Sequence, residues 1–135
     1  MIHPNSFSKS EHLCGDKVIT HLFTQGNAFI AFPLRVVYVL DNESELGLCS
    51  VLVGVPKKRF KRAVKRNRLK RLMREAYRLN KTPLLALLAE NKKHISLAFQ
   101  YVSNDEVDYS TMETKMKLAI QKLTEMLTND SPSVL

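Results

Sequence analysis

Residues 57–79 read KKRFKRAVKRNRLKRLMREAYRL, and the way this stretch folds decides how the rest of the chain must be arranged. Placed on a helix, Leu69, Leu72, Met73, Ala76 and Tyr77 recur at i, i+3, i+4, i+7 and i+8 and form one apolar face. Opposite them, Asn67, Arg71, Arg74 and Arg78 fall in line, with Arg66 and Lys70 along one edge and Arg68 along the other. Phe60, Ala63 and Val64 miss the apolar face, so the chain must bend or find another contact before the helix proper, which is expected to end near Leu79. A helix with one buried face needs a layer to lie on, and the flanking sequence supplies it.

Upstream, Phe29 to Leu40 is rich in Val and aromatics, with Pro33 interrupting its start, so a regular strand is expected from about Leu34. Asp41-Asn42-Glu43-Ser44 is a polar turn, and Leu46 to Val55 is a second β-branched run, so the two strands read as a hairpin. Before them, Val18, Ile19, Leu22 and Phe23 sit at helical spacing within Asp16 to Gln25, and Gly26 supplies a stop. Downstream, Thr82-Pro83 opens a helix containing Leu84, Leu85, Leu87 and Leu88, with Thr82 as its cap. Ile95 to Tyr101 reads as a third strand. Ser110 and Glu113 form a capping box for a last helix with the stripe Met112, Met116, Ala119, Ile120, Leu123 and Leu127. The order helix-strand-strand-helix-helix-strand-helix gives an α+β fold: a single domain with a small central β-sheet packed with helices. The basic helix lies between the second and third strands and suits a parallel crossover. The domain is expected over residues 11–128, with flexible ends at 1–10 and 129–135.

The 44% hydrophobic residues suffice for a packed core, while the net charge of +8 points to a polyanionic partner. Twelve of the 21 Lys and Arg lie between Lys57 and Arg78 against one acid, Glu75, and the rest of the chain is net −3. The basicity is therefore local, a device for binding rather than for general solubility. No apolar run approaches the roughly 20 residues that span a bilayer, and the first residues lack the basic-then-apolar order of a signal peptide. Cys14 and Cys49 make no disulfide framework and are expected to be reduced in a cytosol. His3, His12, His21 and His94 show no metal-ligand spacing with them. Paired carboxylates, a nucleophile with its base and a Gly-rich phosphate loop are all lacking, so no catalytic residue and no metal ligand is assigned.

Like charges one turn apart repel by a few tenths of a kcal/mol each, and a single acid cannot neutralise the row by intrahelical pairing. The plain alternative is a solvated charged face. Against it stand the near absence of acids and the preponderance of Arg, whose planar fork matches phosphate oxygens and base edges.

The block Ala63 to Arg78, AVKRNRLKRLMREAYR, closely resembles the R-N-R signature of the bacterial ribonuclease P protein subunit. FSKSEHL at Phe7 to Leu13, LFxxG at Leu22 to Gly26, PLRVVY at Pro33 to Tyr38 and VPKK at Val55 to Lys58 fall in that family's order, so the resemblance spans about residues 7–127. It implies a left-handed βαβ crossover, which pattern alone would not suggest because right-handed connections dominate. It also implies an auxiliary subunit of an endoribonuclease acting in tRNA 5′ maturation. The catalytic RNA would hold Mg2+, and the protein would bind that RNA and the 5′ leader of precursor tRNA. The expected setting is cytoplasmic, with no membrane and no obligate protein partner. By position, Arg66, Asn67, Arg68, Lys70, Arg71 and Arg74 become the RNA-facing signature, extended by Lys57, Lys58, Arg59, Arg62 and Arg78. Phe23, Tyr38 and Val36 would line a leader cleft between the first helix and the sheet. Ile19 stands there where some members carry an aromatic.

An aromatic platform beside a cationic groove is how single-stranded RNA is commonly held, although Phe23 alone reads equally as core. Two other classes stay open: a generic RNA-binding or ribosome-associated protein, and a DNA-binding module with its helix in a major groove. Preference for precursor over mature tRNA separates the first reading from both.

Overall fold

A computed structural model describes residues 22–42 and 49–129. The expectations for Cys14, Ile19, the N-terminal residues and the tail from 130 lie outside them, and of the span expected as the first helix only residues 22–25, a helical turn, are described. Gly26 ends that turn with its N–H on the Leu22 carbonyl at 2.9 Å. A Cβ at Gly26 would stand 2.3 Å from the same oxygen, so no other residue fits this close approach.

Four strands follow: β1 (Asn27–Ala31), β2 (Leu34–Asn42), β3 (Cys49–Gly54) and β4 (Lys93–Tyr101), with helices α1 (Ala63–Asn80), α2 (Thr82–Asn91) and α3 (Tyr109–Asn129). The chain is thus an α+β domain, as its pattern indicates. Pro33 does more than delay a strand. The chain turns at Phe32–Pro33, a cis peptide, and residues 27–31 form a separate strand antiparallel to β2.

The expected hairpin of the second and third runs does not form. The sheet order is β1-β2-β4-β3, with β4 between the two runs, antiparallel to β2 and parallel to β3. The parallel crossover is present, and α1 and α2 make it. β4 is buried on both faces, which explains why it reads as a nearly continuous apolar run.

All three helices cover one face of the sheet. Leu69, Met73, Ala76 and Tyr77 of α1 meet the stripe Met112, Met116, Ala119, Ile120, Leu123 and Leu127 of α3 over Leu34, Val36, Tyr38, Val51, Leu97 and Phe99. Burying these side chains is worth roughly 1.5–3 kcal/mol each, far more than repulsion along the basic row costs. Phe60, which misses the helical stripe, packs on Tyr101 with ring centroids 5.9 Å apart, and α1 starts only after this bend. On the other face, Leu22 of the helical turn packs with Val37 and Ala98.

Two caps differ from their expected form. Thr82 does not cap α2: Lys81 precedes it in right-handed helical conformation, so α1 runs into α2 with almost no break. The α3 cap is Asp108, whose carboxylate accepts the Thr111 N–H at 2.9 Å. Glu113, expected to complete a box with Ser110, instead accepts from the Tyr109 hydroxyl and the Asn80 amide at 3.2 Å each.

Candidate nucleic-acid interface

α1 presents its polar side to solvent because its apolar side is sealed against α3 and β3. Asn67, Arg71 and Arg74 are exposed in line, and Lys70 is half-buried at their edge. Among the described residues no carboxylate lies within ion-pair distance of Arg71, Arg74 or Lys70. From Asn67 to Arg78 the row rises about 16 Å.

Two signature cations, Arg66 and Arg68, and Arg78 beyond them are engaged within the protein. Arg78 bonds the carboxylate of Glu75, one turn earlier, at 2.5 and 3.2 Å. That hydrogen bond holds the Glu75 carboxyl below its usual range and raises Arg78. Arg68 meets Glu106 at 3.2 Å. Arg66 donates to the backbone carbonyls of Phe60 and Lys61 at 2.9 and 2.8 Å, which locks the bend before the helix. Its role here is at least partly to hold the turn that presents the others.

The turn before α1 adds Lys57, Lys58 and Arg62, all exposed. Arg59 is half-buried and donates to Asn104 at 3.0 Å. A recess of about 390 Å³ opens between this turn and the loop after β4, lined by Arg59, Lys61, Arg62, Lys65 and Glu106 among others. No side-chain hydrogen bond caps the α1 N-terminus and its first turn carries no acid, so its free N–H groups add positive potential on that side.

The expected cleft residues are not brought together. Val36 and Tyr38 point into the helix-covered core, where Tyr38 meets Phe29 at a centroid distance of 6.3 Å and its hydroxyl donates to Met126 Sδ at 3.8 Å. Leu22 packs on the opposite face, and Phe23 beside it is 40% exposed. The physical reason is strand alternation, which turns Val36 and Tyr38 one way and Arg35, Val37 and Val39 the other. The face on which Leu22 packs also carries Arg35, whose guanidinium donates to Gln100 at 2.6 Å, with exposed Ile30 opposite it in register. Gly54, paired with Gln100, faces open space. Sequence reasoning missed Arg35 because it sits in an otherwise apolar run; its alternation with Leu34 and Val36 was the available signal.

The described residues contain no group of three or more His, Cys, Asp or Glu placed to hold a metal ion. None of their helices is long and apolar enough to cross a membrane.

Comparison with known proteins places this arrangement. Residues 7–124 match the family model described as Ribonuclease P. The chain is 46% identical over 125 residues to the ribonuclease P protein component of Porphyromonas gingivalis, covering 91% of each chain. It is 38% identical over 109 residues to that of Chlorobium phaeobacteroides, covering 75% of each. Among solved structures, the RNase P protein of Thermotoga maritima matches with TM-score 0.64 at 20% identity, over 83% of this chain and 96% of that one. The Staphylococcus aureus RNase P protein gives 0.63 at 19%, over 86% and 96%. Sequence, fold and the anchored basic helix agree: the chain belongs to the ribonuclease P protein component family.

Proposed function

We propose that the protein acts as the auxiliary subunit of a ribonucleoprotein endonuclease, binding a catalytic RNA through α1 and the 5′ leader of precursor tRNA through the opposite sheet face. The observation that carries this is the row Asn67, Arg71 and Arg74 with Lys70 beside it, exposed on a helix whose other side is buried. Such a row neutralises closely spaced phosphates without rearrangement, and Arg can grip each one with two bonds. Lys57, Lys58 and Arg62 extend the cationic track around the start of the helix. Arg66, Arg68, Arg59 and Arg78 contribute where RNA displaces or joins their present partners.

For the leader, exposed Phe23 offers an apolar platform and Arg35 a cation on the same side of the sheet. Ile19, outside the described residues, belongs to the same reading through the family resemblance alone. The domain over residues 11–128 would work in the cytoplasm, with no membrane and no obligate protein partner.

The chain's own contribution is positioning and charge neutralisation. The hydrolytic step falls to the RNA, together with the Mg2+ that the RNA holds, and no step is assigned to a side chain of this protein. Cleavage of precursor tRNA by the cognate catalytic RNA, followed at low magnesium with and without the protein, tests the reading. Stimulation of cleavage, with precursor bound more tightly than mature tRNA, is the expected result. RNA binding without stimulation would indicate instead a generic RNA-binding protein.

A further inference from the structure

The loop between β4 and α3 reaches across to the first turns of α1 and places one acid among its cations. Glu106 Oε1 lies 3.2 Å from Arg68 NH1, and its Oε2 lies 3.5 Å from Lys65 Nζ. Two oxygens of one anion shared by two cations is also how a backbone phosphate would be held there. The loop is not a loose tether. Val102 N–H donates to the Pro33 carbonyl at 2.8 Å, the Tyr101 hydroxyl donates to the Asp105 carbonyl at 2.5 Å, and Asp105 N–H donates to Ser103 Oγ at 3.0 Å. Asn104 accepts from Arg59, and Asp108 caps α3. Glu106 is therefore delivered to a fixed place beside α1.

Resting on the reading of α1 as an RNA-binding helix, we propose that Glu106 is a specificity-determining residue that stands in the place of a phosphate on Lys65 and Arg68 until RNA displaces it. Both ion pairs are partly exposed, with Glu106 35% accessible, so they are weak and can open. Their effect differs between RNAs. An RNA held by charge alone gains from every free cation, and withdrawing two of them removes a substantial share of its affinity. An RNA seated by its shape along the rest of α1 and the cleft need not displace Glu106 and so loses less. Specificity is the difference between two affinities, and a built-in competitor enlarges it. The flanking sequence fits this role: Asn104-Asp105-Glu106 lines the same recess as Arg59, Arg62 and Lys65.

The experiment compares wild type with Glu106→Gln for binding to single-stranded polyuridylate and to the cognate catalytic RNA across a salt series. Glu106→Gln is expected to bind polyuridylate about three- to tenfold more tightly at low salt. The slope of log K against log salt should steepen by about one to two, while affinity for the cognate RNA changes less than twofold. In a Lys65→Ala/Arg68→Ala background the same substitution should have no effect, a result that a merely structural role for Glu106 would not give. Unchanged polyuridylate affinity, an equal gain on both RNAs, or a gain persisting in that background would overturn the proposal. Arg71→Ala/Arg74→Ala separates the two levels of argument. If it leaves binding of both RNAs unaltered, the RNA-binding reading of α1 itself fails. If it weakens both while Glu106→Gln does nothing, only the role of Glu106 falls.

Discussion

Arg71 and Arg78 lie on the same side of α1, yet their surroundings differ. Arg78 pairs with Glu75, whereas among the described residues no carboxylate lies within ion-pair distance of Arg71 or Arg74. Their replacement by Ala should weaken RNA binding and lower the salt slope by about 1.5, near the value for two lost phosphate contacts; a salt titration by fluorescence anisotropy reads both. Asp108 supports a prediction of a different kind. Hydrogen bonds from Thr111, chiefly from its N–H, hold the Asp108 carboxyl below its ordinary value of 3.8. The cap's contribution is then complete above that value and is lost as pH falls through the lower, folded-state one. Asp108→Asn keeps an accepting oxygen but does not titrate, so its melting temperature should fall less steeply than that of wild type below about pH 4. Parallel melting curves for the two proteins would contradict the cap assignment.

At the scale of elements, Leu69 is the hinge between sequence and fold. It is fully buried where α1 meets the core, and Leu69→Ala should cost about 2–5 kcal/mol in urea unfolding. The variant's RNA affinity, measured where it is still folded, should be nearly that of wild type, because the cationic side is untouched. The two long helices were legible for this reason: their apolar stripes repeat at the helical period and depend on nothing distant. The sheet was less legible. The β2 and β3 runs look like hairpin partners, but only β4, some forty residues further on, shows that each pairs with it instead. β1 was hidden inside a longer apolar run because the sequence does not reveal that Phe32-Pro33 turns the chain. Cap positions failed for a local reason, since Asp108 and Ser110 are both competent and the loop geometry chose Asp108. The basic row was read correctly as a face, but not the acids that meet it. Glu106 is distant in sequence from Arg68, and its approach follows from the packing of α3 on α1. Strand parity, which short apolar runs do not reveal, turns Val36 and Tyr38 into the helix-covered core and Arg35 and Val37 to the face on which Leu22 packs.

For the whole molecule, the division of labour between two surfaces matters more than total charge. The helix-covered face of the sheet is core, its other face carries Phe23 and Arg35, and the far side of α1 carries the cationic row. A leader and a folded RNA could therefore be held at once without competing for the same atoms. Removing Phe23 by Ala should accordingly reduce preference for precursor over mature tRNA while leaving affinity for the catalytic RNA within about twofold. A loss of both together would mean that the two surfaces act as one.

Cys49 gives this architecture a clock. Its sulfur is buried beneath the Tyr77 hydroxyl, 3.2 Å away, where α1 rests on β3. In a protein carrying Cys14→Ser, a thiol reagent gains access to Cys49 when the helix lifts from the strand, so the labelling rate follows those departures. RNA that grips the outer side of α1 must slow the count: at a hundred times its dissociation constant, by about a hundredfold.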